Sequence, residues 1–294
     1  RIKGVTTVDG NVVAEGEFTF SLAPASLTGS DVHPTANVHP KAELGKNVTV
    51  GPYVTIAADV VIGEGTEIGA NSVIKDGVRI GKGNKIGEGV VLGAPPQDVK
   101  YQGEKSGVII GDNNVIREYV TIHAATGEGA ATVIGNNNFL MAYVHIGHNC
   151  IVGNDVTITI QAAIGGHCVL EDQSVIGGLS ALHQFIRVGK LAMIGGVSRV
   201  IQDVPPFMMA VGNPSLVRGV NSVGISRRGG TSASLSEIKN AYKVLYRSGL
   251  NFSQAVEKLQ KEVKTPEGKH LLAFLEAPSL RGILKKAGTE EEES

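Results

Sequence analysis

A six-residue period runs through most of this chain and limits what it can fold into. Stepping by six from Val32 gives Val38, Leu44, Val50, Ile56, Ile62, Ile68, Ile74, Ile80, Ile86 and Leu92. The same phase returns at Ile110, Ile116 and Ile122, then at Ile134 and without a gap to Val200. Of 29 positions in this register, 26 are Ile, Leu or Val. The other three, Asp98, Glu104 and Glu128, fall in two segments that read as projecting loops, near 93–107 and 124–132. Gly follows many of these anchors, as at Gly51, Gly147, Gly165 and Gly177. Four residues after an anchor comes a small or β-branched side chain, as at Val48, Val54, Thr66 and Ser72.

An amphipathic helix repeats near 3.6 residues and a long strand repeats at two, so neither explains a period of six. One short flat strand and one tight turn do. The aliphatic anchor points inward and the Gly relieves crowding at the corner. Three such faces close a triangular coil, which stacks on the next at about the ~4.8 Å inter-strand spacing. The expected fold is an all-β hexapeptide β-helix, a parallel β-helix that winds left-handed in this family against the usual crossover rule. Its core is aliphatic: the chain has 39 Gly, no Trp, 7 Phe and 6 Tyr in 294 residues. Cys150 and Cys168 both lie four after an anchor and one coil apart, which stacks them inside the prism as small core fillers.

The repeat is expected to end at Pro205-Pro206, where the rings block further ladder bonding. This gives an N-terminal extension over 1–30, a β-helix over 31–206 and a basic, Gly-rich linker over 207–233. An α-helical domain follows over 234–287, with an acidic tail over 288–294. Ser234 and Glu237 read as a capping box, and Leu235, Ile238, Ala241, Tyr242 and Leu245 as the apolar stripe of a first helix. A second helix is expected from Ser253 to Val263, a third after Thr265-Pro266 and a short fourth after Pro278.

Charge and cysteine content exclude several classes of function. With 27 basic and 28 acidic residues, there is no electrostatic footprint for non-specific nucleic-acid binding. Two Cys preclude a disulfide framework or a Cys₄ zinc site and fit a reducing compartment. No apolar run approaches the ~18 residues of a membrane-spanning helix.

A repetitive rod has no natural pocket, so function is expected where the repeat breaks. The histidines mark the same region: His123, His145, His148, His167 and His183 all fall in the middle coils. Their spacings are near one coil, which gathers the imidazoles along one part of the surface. Three readings are open on these residues alone. They are ordinary polar strand positions, a three-histidine zinc site, or a general base that deprotonates a hydroxyl attacking an activated acyl group.

The stretch from Asn138 to Arg228 resembles the UDP-N-acetylglucosamine O-acyltransferases of lipid A biosynthesis. The resemblance rests on His145-Ile146-Gly147-His148, Gly165-Gly166-His167, Leu182-His183-Gln184-Phe185, Gln202-Asp203-Val204-Pro205-Pro206 and Arg227-Arg228-Gly229. Upstream, Gln97-Asp98-Val99-Lys100-Tyr101 and Arg117 through His123 also fit. Hexapeptides alone would name only a superfamily; these blocks are far more specific.

The resemblance implies transfer of an (R)-3-hydroxyacyl chain from acyl carrier protein to the 3-hydroxyl of UDP-N-acetylglucosamine. It implies no cofactor beyond the 4′-phosphopantetheine that the donor carries, and no metal. On that pattern His148 is the general base, Gly166 supplies an oxyanion donor through its N–H, and Asn149 orients the base. His123, His145, His167, His183 and Gln184 line the sugar and acyl cleft, and Asp98 and Lys100 contact substrate. Asn221, Arg227 and Arg228 sit near the nucleotide, and Gly196 is the ruler that limits acyl-chain length. The family forms homotrimers with clefts between neighbouring rods.

Two residues depart from the pattern. Asn149 stands where an Asp commonly follows the base, and Val223 stands at a position near the nucleotide that is often acidic. A carboxylate would stabilise an imidazolium better than an amide. Two alternatives remain: another hexapeptide acyl- or acetyltransferase, and a non-catalytic β-helix binding or scaffold protein. The sister N-acyltransferase needs a uridine-binding domain before its β-helix, for which residues 1–30 are too few. An Arg at the first position and the extension before Val32 resemble a trimmed precursor of the plant organelle branch. The mitochondrial matrix is therefore expected, with the bacterial cytoplasm as the alternative.

Overall fold

The computed structural model describes residues 2–8, 11–18 and 29–284. Ile2–Val8 and Asn11–Phe18 pair as an antiparallel ribbon. The acidic tail over 288–294 lies outside the described residues.

From Asp31 the chain winds a left-handed β-helix, a triangular prism of three parallel sheets. These hold nine, eight and eleven short strands, and as far as Arg199–Val200 every third strand belongs to the same sheet. Successive coils pair residues 18 apart, as Thr55 with Val73 and Thr157 with Val175. Most strands are two residues long, one outward and one inward, and the inward residue is the six-residue anchor. Ile56, Ile74, Leu92, Ile122, Ile146 and Ile164 are buried in one continuous column.

The corners explain two further features of the repeat. Three residues after the anchor the backbone takes a left-handed φ, as at Asn149 (58°), His167 (59°) and Phe185 (67°). The Gly directly after the anchor is needed for a different reason. A Cβ on Gly147 would lie 2.8 Å from the Gly166 nitrogen, and one on Gly177 only 2.4 Å from that of Gly196. Neighbouring coils approach too closely there for any side chain, whereas the left-handed position can accept one and points it outward.

The interior holds polar groups as well. Asn84, Asn114 and Asn138 stack inside the prism, and each Oδ1 accepts a backbone N–H from the next coil. This satisfies corner N–H groups that would otherwise be buried without a partner. Cys150 and Cys168 are buried free thiols, donating to the carbonyls of Gly165 and His183.

The two insertions keep the phase of six because of their lengths. Pairing distance rises from 18 to 30 at Val78–Val108 and to 24 at Gly107–Ala131, so twelve and six residues are extruded. Both loops leave the same edge of the prism and are tied together. Glu104 Oε1 accepts the Gly127 N–H, Glu128 Oε2 accepts that of Lys105, and Ser106 Oγ donates to the Ala125 carbonyl.

The structure differs from expectation at the far end. Pro205-Pro206 turns a corner against Gly189 but does not end the sheets. Val204 still bridges Val188, and Met208–Gly212 adds a parallel strand beside Met193–Ile194. Ser215–Val220 returns antiparallel and closes that edge. The span 207–233 is thus a hairpin plus a helix, α1 (Ser222–Arg227), rather than a linker.

Three longer helices follow: α2 (Ser232–Arg247), α3 (Phe252–Glu262) and α4 (Pro266–Glu276). The cap of α2 is Thr231, not Ser234. Glu237 instead accepts the backbone N–H groups of Lys264 and Thr265, which places the start of α4. The capping box belongs to α3, between Asn251 and Gln254. Among the described residues no helix follows Pro278; Gly282 and Leu284 exchange backbone hydrogen bonds with Asp203 instead. Asp203 also pairs with Arg187 at 2.7 Å, and that guanidinium lies 4.3 Å over the Phe274 ring. These contacts lock the helices to the rod. Among the described residues no helix is long and apolar enough to cross a membrane.

Candidate active site

The edge that carries both insertions also gathers the histidines. A cavity of about 230 Å³ there is lined by Gln97, His123, His145, His148, Gly166 and Gln184, with Gly147 and Gly165 at its floor. The period places these side chains. His148, Gly166 and Gln184 each follow an anchor by two and are 18 apart, so they form one column along the corner. Asn149, His167 and Phe185 form the adjacent left-handed column. His145 faces outward from its strand directly over Thr121.

The imidazoles pack edge to face. His123 and His145 have centroids 5.0 Å apart at 75°, and His148 and His167 are 5.0 Å apart at 88°. His167 stacks in turn on Phe185 at 4.6 Å. Each Nδ1 at the cavity has a protein partner. That of His123 meets the Pro95 carbonyl at 2.8 Å, that of His145 the Thr121 hydroxyl at 2.9 Å, and that of His148 Asn149 Oδ1 at 2.9 Å.

The last contact selects a tautomer. Asn149 Oδ1 can only accept, so His148 Nδ1 carries the proton, and in the neutral ring Nε2 presents a lone pair. Nε2 sits against Gly166: a Cβ there would be 2.5 Å from it. The Gly166 N–H makes no hydrogen bond to protein among the described residues, which leaves it available to a ligand oxygen beside the base. A base, a bare N–H donor and a flanking cavity together make acyl transfer to a hydroxyl chemically feasible.

The surroundings of the flanking histidines disfavour their charged form. Burial pushes His123, His145 and His167 below the usual imidazole value, and the nearby His148 adds to the effect in all three. Asp98 lies on the first insertion. The Lys100 N–H, bonded to it at 2.9 Å, holds its carboxyl below the usual carboxylate range. The Thr126 hydroxyl, close by but outside hydrogen-bond geometry, and the field of His148 act in the same direction. Among the described residues, no group of three or more His, Cys, Asp or Glu is placed to hold a metal ion.

The remaining expected residues are dispersed. His183 is exposed, its Nδ1 turned to the Gln184 carbonyl. The Lys100 side chain is exposed on the loop. Asn221 is buried, and both ends of its amide are engaged within the chain. Its Oδ1 caps α1 at Gly224, and its Nδ2 donates to the Leu191 carbonyl at 2.9 Å. Arg228 lines a separate cavity of about 150 Å³ with Gln173, Lys190 and Glu267, and Arg227 is exposed nearby. Gly196 lies on the next corner, stacked on Gly178. A cavity of about 660 Å³ beside Leu245, Phe252, Leu275 and Leu284 is larger but has no acid–base group except the buried Tyr246. The histidine edge is the candidate site, because among the described residues its cavity is the one that joins several imidazoles to a free backbone N–H.

Sequence reasoning passed over Thr121, Thr126, Glu104 and Phe185. Stepping one coil from candidate site residues finds two of them: Phe185 is 18 beyond His167, and Thr121 is 24 before His145, across the shorter insertion.

A left-handed hexapeptide rod with a histidine-lined break in its repeat has the architecture of the hexapeptide transferases. A family model described as bacterial transferase hexapeptide (six repeats) matches residues 59–94 and 131–159, and the model for UDP-N-acetylglucosamine O-acyltransferase, domain 2, matches 203–284. The chain belongs to the UDP-N-acetylglucosamine O-acyltransferase family. It is 42% identical over 261 residues to the acyl-[acyl-carrier-protein]–UDP-N-acetylglucosamine O-acyltransferase of Burkholderia lata, covering 86% of this chain and 99% of that one. The solved UDP-N-acetylglucosamine acyltransferase of Francisella novicida superposes with a TM-score of 0.84 at 38% identity, over 87% of this chain and 95% of that one. The Arabidopsis enzyme superposes with a TM-score of 0.76 at 35% identity, over 86% and 100%.

Proposed function

We propose that this chain transfers an (R)-3-hydroxyacyl group from acyl carrier protein to the 3-hydroxyl of UDP-N-acetylglucosamine, the first step of lipid A-type biosynthesis. The sugar oxygen attacks the thioester carbon as its proton passes to His148 Nε2. The C–O bond forms, the C–S bond breaks, and the proton leaves with the carrier's pantetheine sulfur. The oxyanion is held by the Gly166 N–H. The observation that carries this reading is the His148 ring, with Nδ1 bonded to Asn149 and Nε2 bare against Gly166.

The other residues follow from position. His123, His145, His167, Gln184 and Asp98 surround the sugar and the reacting carbon, with His183 and Lys100 at the rim. Arg227 and Arg228 take the diphosphate, for which guanidinium is suited, and Asn221 holds the helix that presents them. Gly196 is exposed, and a Cβ there would meet nothing nearer than the Gly178 carbonyl at 3.4 Å, which supports an open acyl path rather than a crowded corner.

The working form is a homotrimer with clefts shared between rods. Tyr119 (53% exposed) and Tyr143 (54%) stack on the surface, and Leu179 (59%) and Val197 (70%) continue their corner. Such a stripe is what an interface between copies buries, and it explains how a nucleotide site remote from the histidines within one chain becomes part of one cleft. The compartment proposed for the chain is the mitochondrial matrix, with the bacterial cytoplasm as the alternative. An Arabidopsis enzyme is among the solved relatives at 35% identity, bacterial relatives reach 42% and 49%, and fractionation of source cells decides between the two compartments.

Mass spectrometry of the nucleotide sugar tests the activity. Incubation with 3-hydroxyacyl carrier protein and UDP-N-acetylglucosamine should yield the O-acylated sugar nucleotide. Acylation only from small acyl-CoA donors would overturn the reading.

A further inference from the structure

The second insertion, residues 124–130, is linked to the base by hydrogen bonds through Asn149. The Thr126 N–H donates to Asn149 Oδ1 at 2.9 Å, and Asn149 Nδ2 donates to the Thr126 carbonyl at 3.0 Å. This two-point pairing needs an acceptor and a donor side by side, which an amide offers and an ionised carboxylate does not. A backbone N–H and C=O have fixed polarity, so they dictate which end of the side chain is oxygen. That oxygen is the atom facing His148 Nδ1. The backbone of Asn149 is anchored separately, its N–H bonded to Thr132 Oγ1 at 2.9 Å.

The loop is itself held from the first insertion. Glu104 accepts the Gly127 N–H on Oε1 and the Gln102 N–H on Oε2, each at 2.9 Å, while Gly129 donates to the Lys105 carbonyl. These N–H groups hold the Glu104 carboxyl below the usual range. Glu104 has no place at the histidine cavity; it lines a different one, with Tyr101, Lys105 and Asp76.

We infer that the two insertions form a relay that positions the base. Glu104 fixes the second loop, Thr126 fixes the Asn149 amide, and Asn149 keeps the His148 proton on Nδ1 so that Nε2 is free. Glu104, Thr126 and Asn149 are positioning residues, and Asn149 is the residue this loop requires rather than a weaker substitute for Asp. A carboxylate at 149 would set an acceptor oxygen against the Thr126 carbonyl, losing one hydrogen bond and adding repulsion. The inference rests on the proposed general-base role of His148.

The test is steady-state kinetics of the full chain with 3-hydroxyacyl carrier protein and UDP-N-acetylglucosamine. Asn149→Asp should lower kcat about tenfold, the scale of one charged hydrogen bond misplaced, with KM for the sugar nucleotide unchanged. Glu104→Gln should lower kcat by a smaller factor, and in an Asn149→Ala background it should have no further effect, because it acts through that amide. Turnover of Asn149→Asp equal to or above that of the unaltered protein overturns the inference. So does a Glu104→Gln effect that multiplies independently of residue 149. Thermal unfolding of each variant is read alongside, and if Asn149→Asp fails to fold, the Glu104→Gln pair decides alone. His148→Ala separates the two levels: loss of turnover there with unchanged positioning variants sinks the relay only, whereas retained turnover sinks the base.

Discussion

A methyl group on Gly166 would lie 2.5 Å from His148 Nε2, so residue 166 and the base cannot both keep their places if 166 has a side chain. Gly166→Ala should therefore lower kcat about as far as His148→Ala does, roughly 10²-fold or more for lost general-base catalysis. Both proteins should keep the far-ultraviolet circular dichroism of the unaltered chain, because the ring lies outside the aliphatic prism. Near-normal turnover in either variant would remove Nε2 from the reaction.

Chain-length preference is expected to respond at Gly196. Its surroundings leave room for a Cβ, so Gly196→Met should fold normally while its side chain projects along the corner. Competition between donors of different length should then favour shorter chains, each excluded methylene being worth about 0.8 kcal/mol. An unaltered preference together with a lower Tm would assign Gly196 to the corner instead.

The depressed histidines make a prediction about acid. His123, His145 and His167 titrate near 6.5 when unfolded and lower when folded. Below pH 6.5 the unfolded chain therefore binds protons that the folded chain refuses, and stability falls with pH through that window. Urea midpoints should be level above pH 7 and decline between pH 6.5 and the lower folded values. A midpoint constant from pH 7.5 to 5.5 would contradict the burial argument.

Asp203 is buried and holds Arg187, whose guanidinium covers Phe274. Asp203→Ala leaves that charge poorly compensated and removes the lock between rod and helices. A loss of about 3–5 kcal/mol is expected, read by calorimetry, with the helical part melting first. A single transition at the original temperature would show that the ion pair contributes nothing.

The prism, its core and the position of both insertions were legible in the sequence, because an anchor every six residues leaves one way to bury an aliphatic column. The histidines could be gathered on one edge for the same reason, whereas Gly166 and Gln184 were indicated only by the resemblance, although their 18-residue steps from His148 put them on its corner. Residues 207–233 could not be read. A hairpin and a six-residue helix there are held by Phe207, Leu191 and Asn221 rather than by local propensity. The same holds for Glu237, whose spacing from Ser234 suits a capping box but whose carboxylate is taken by the start of α4.

The sequence by itself determined the period, the inward column and the edge on which the histidines fall, since each depends only on residue type and spacing. Only the tertiary structure decided which way the Asn149 amide points. That orientation is set by the backbone of Thr126, 23 residues away on an extruded loop. A backbone N–H and C=O are common to nearly every residue, so no pattern of side chains announces them.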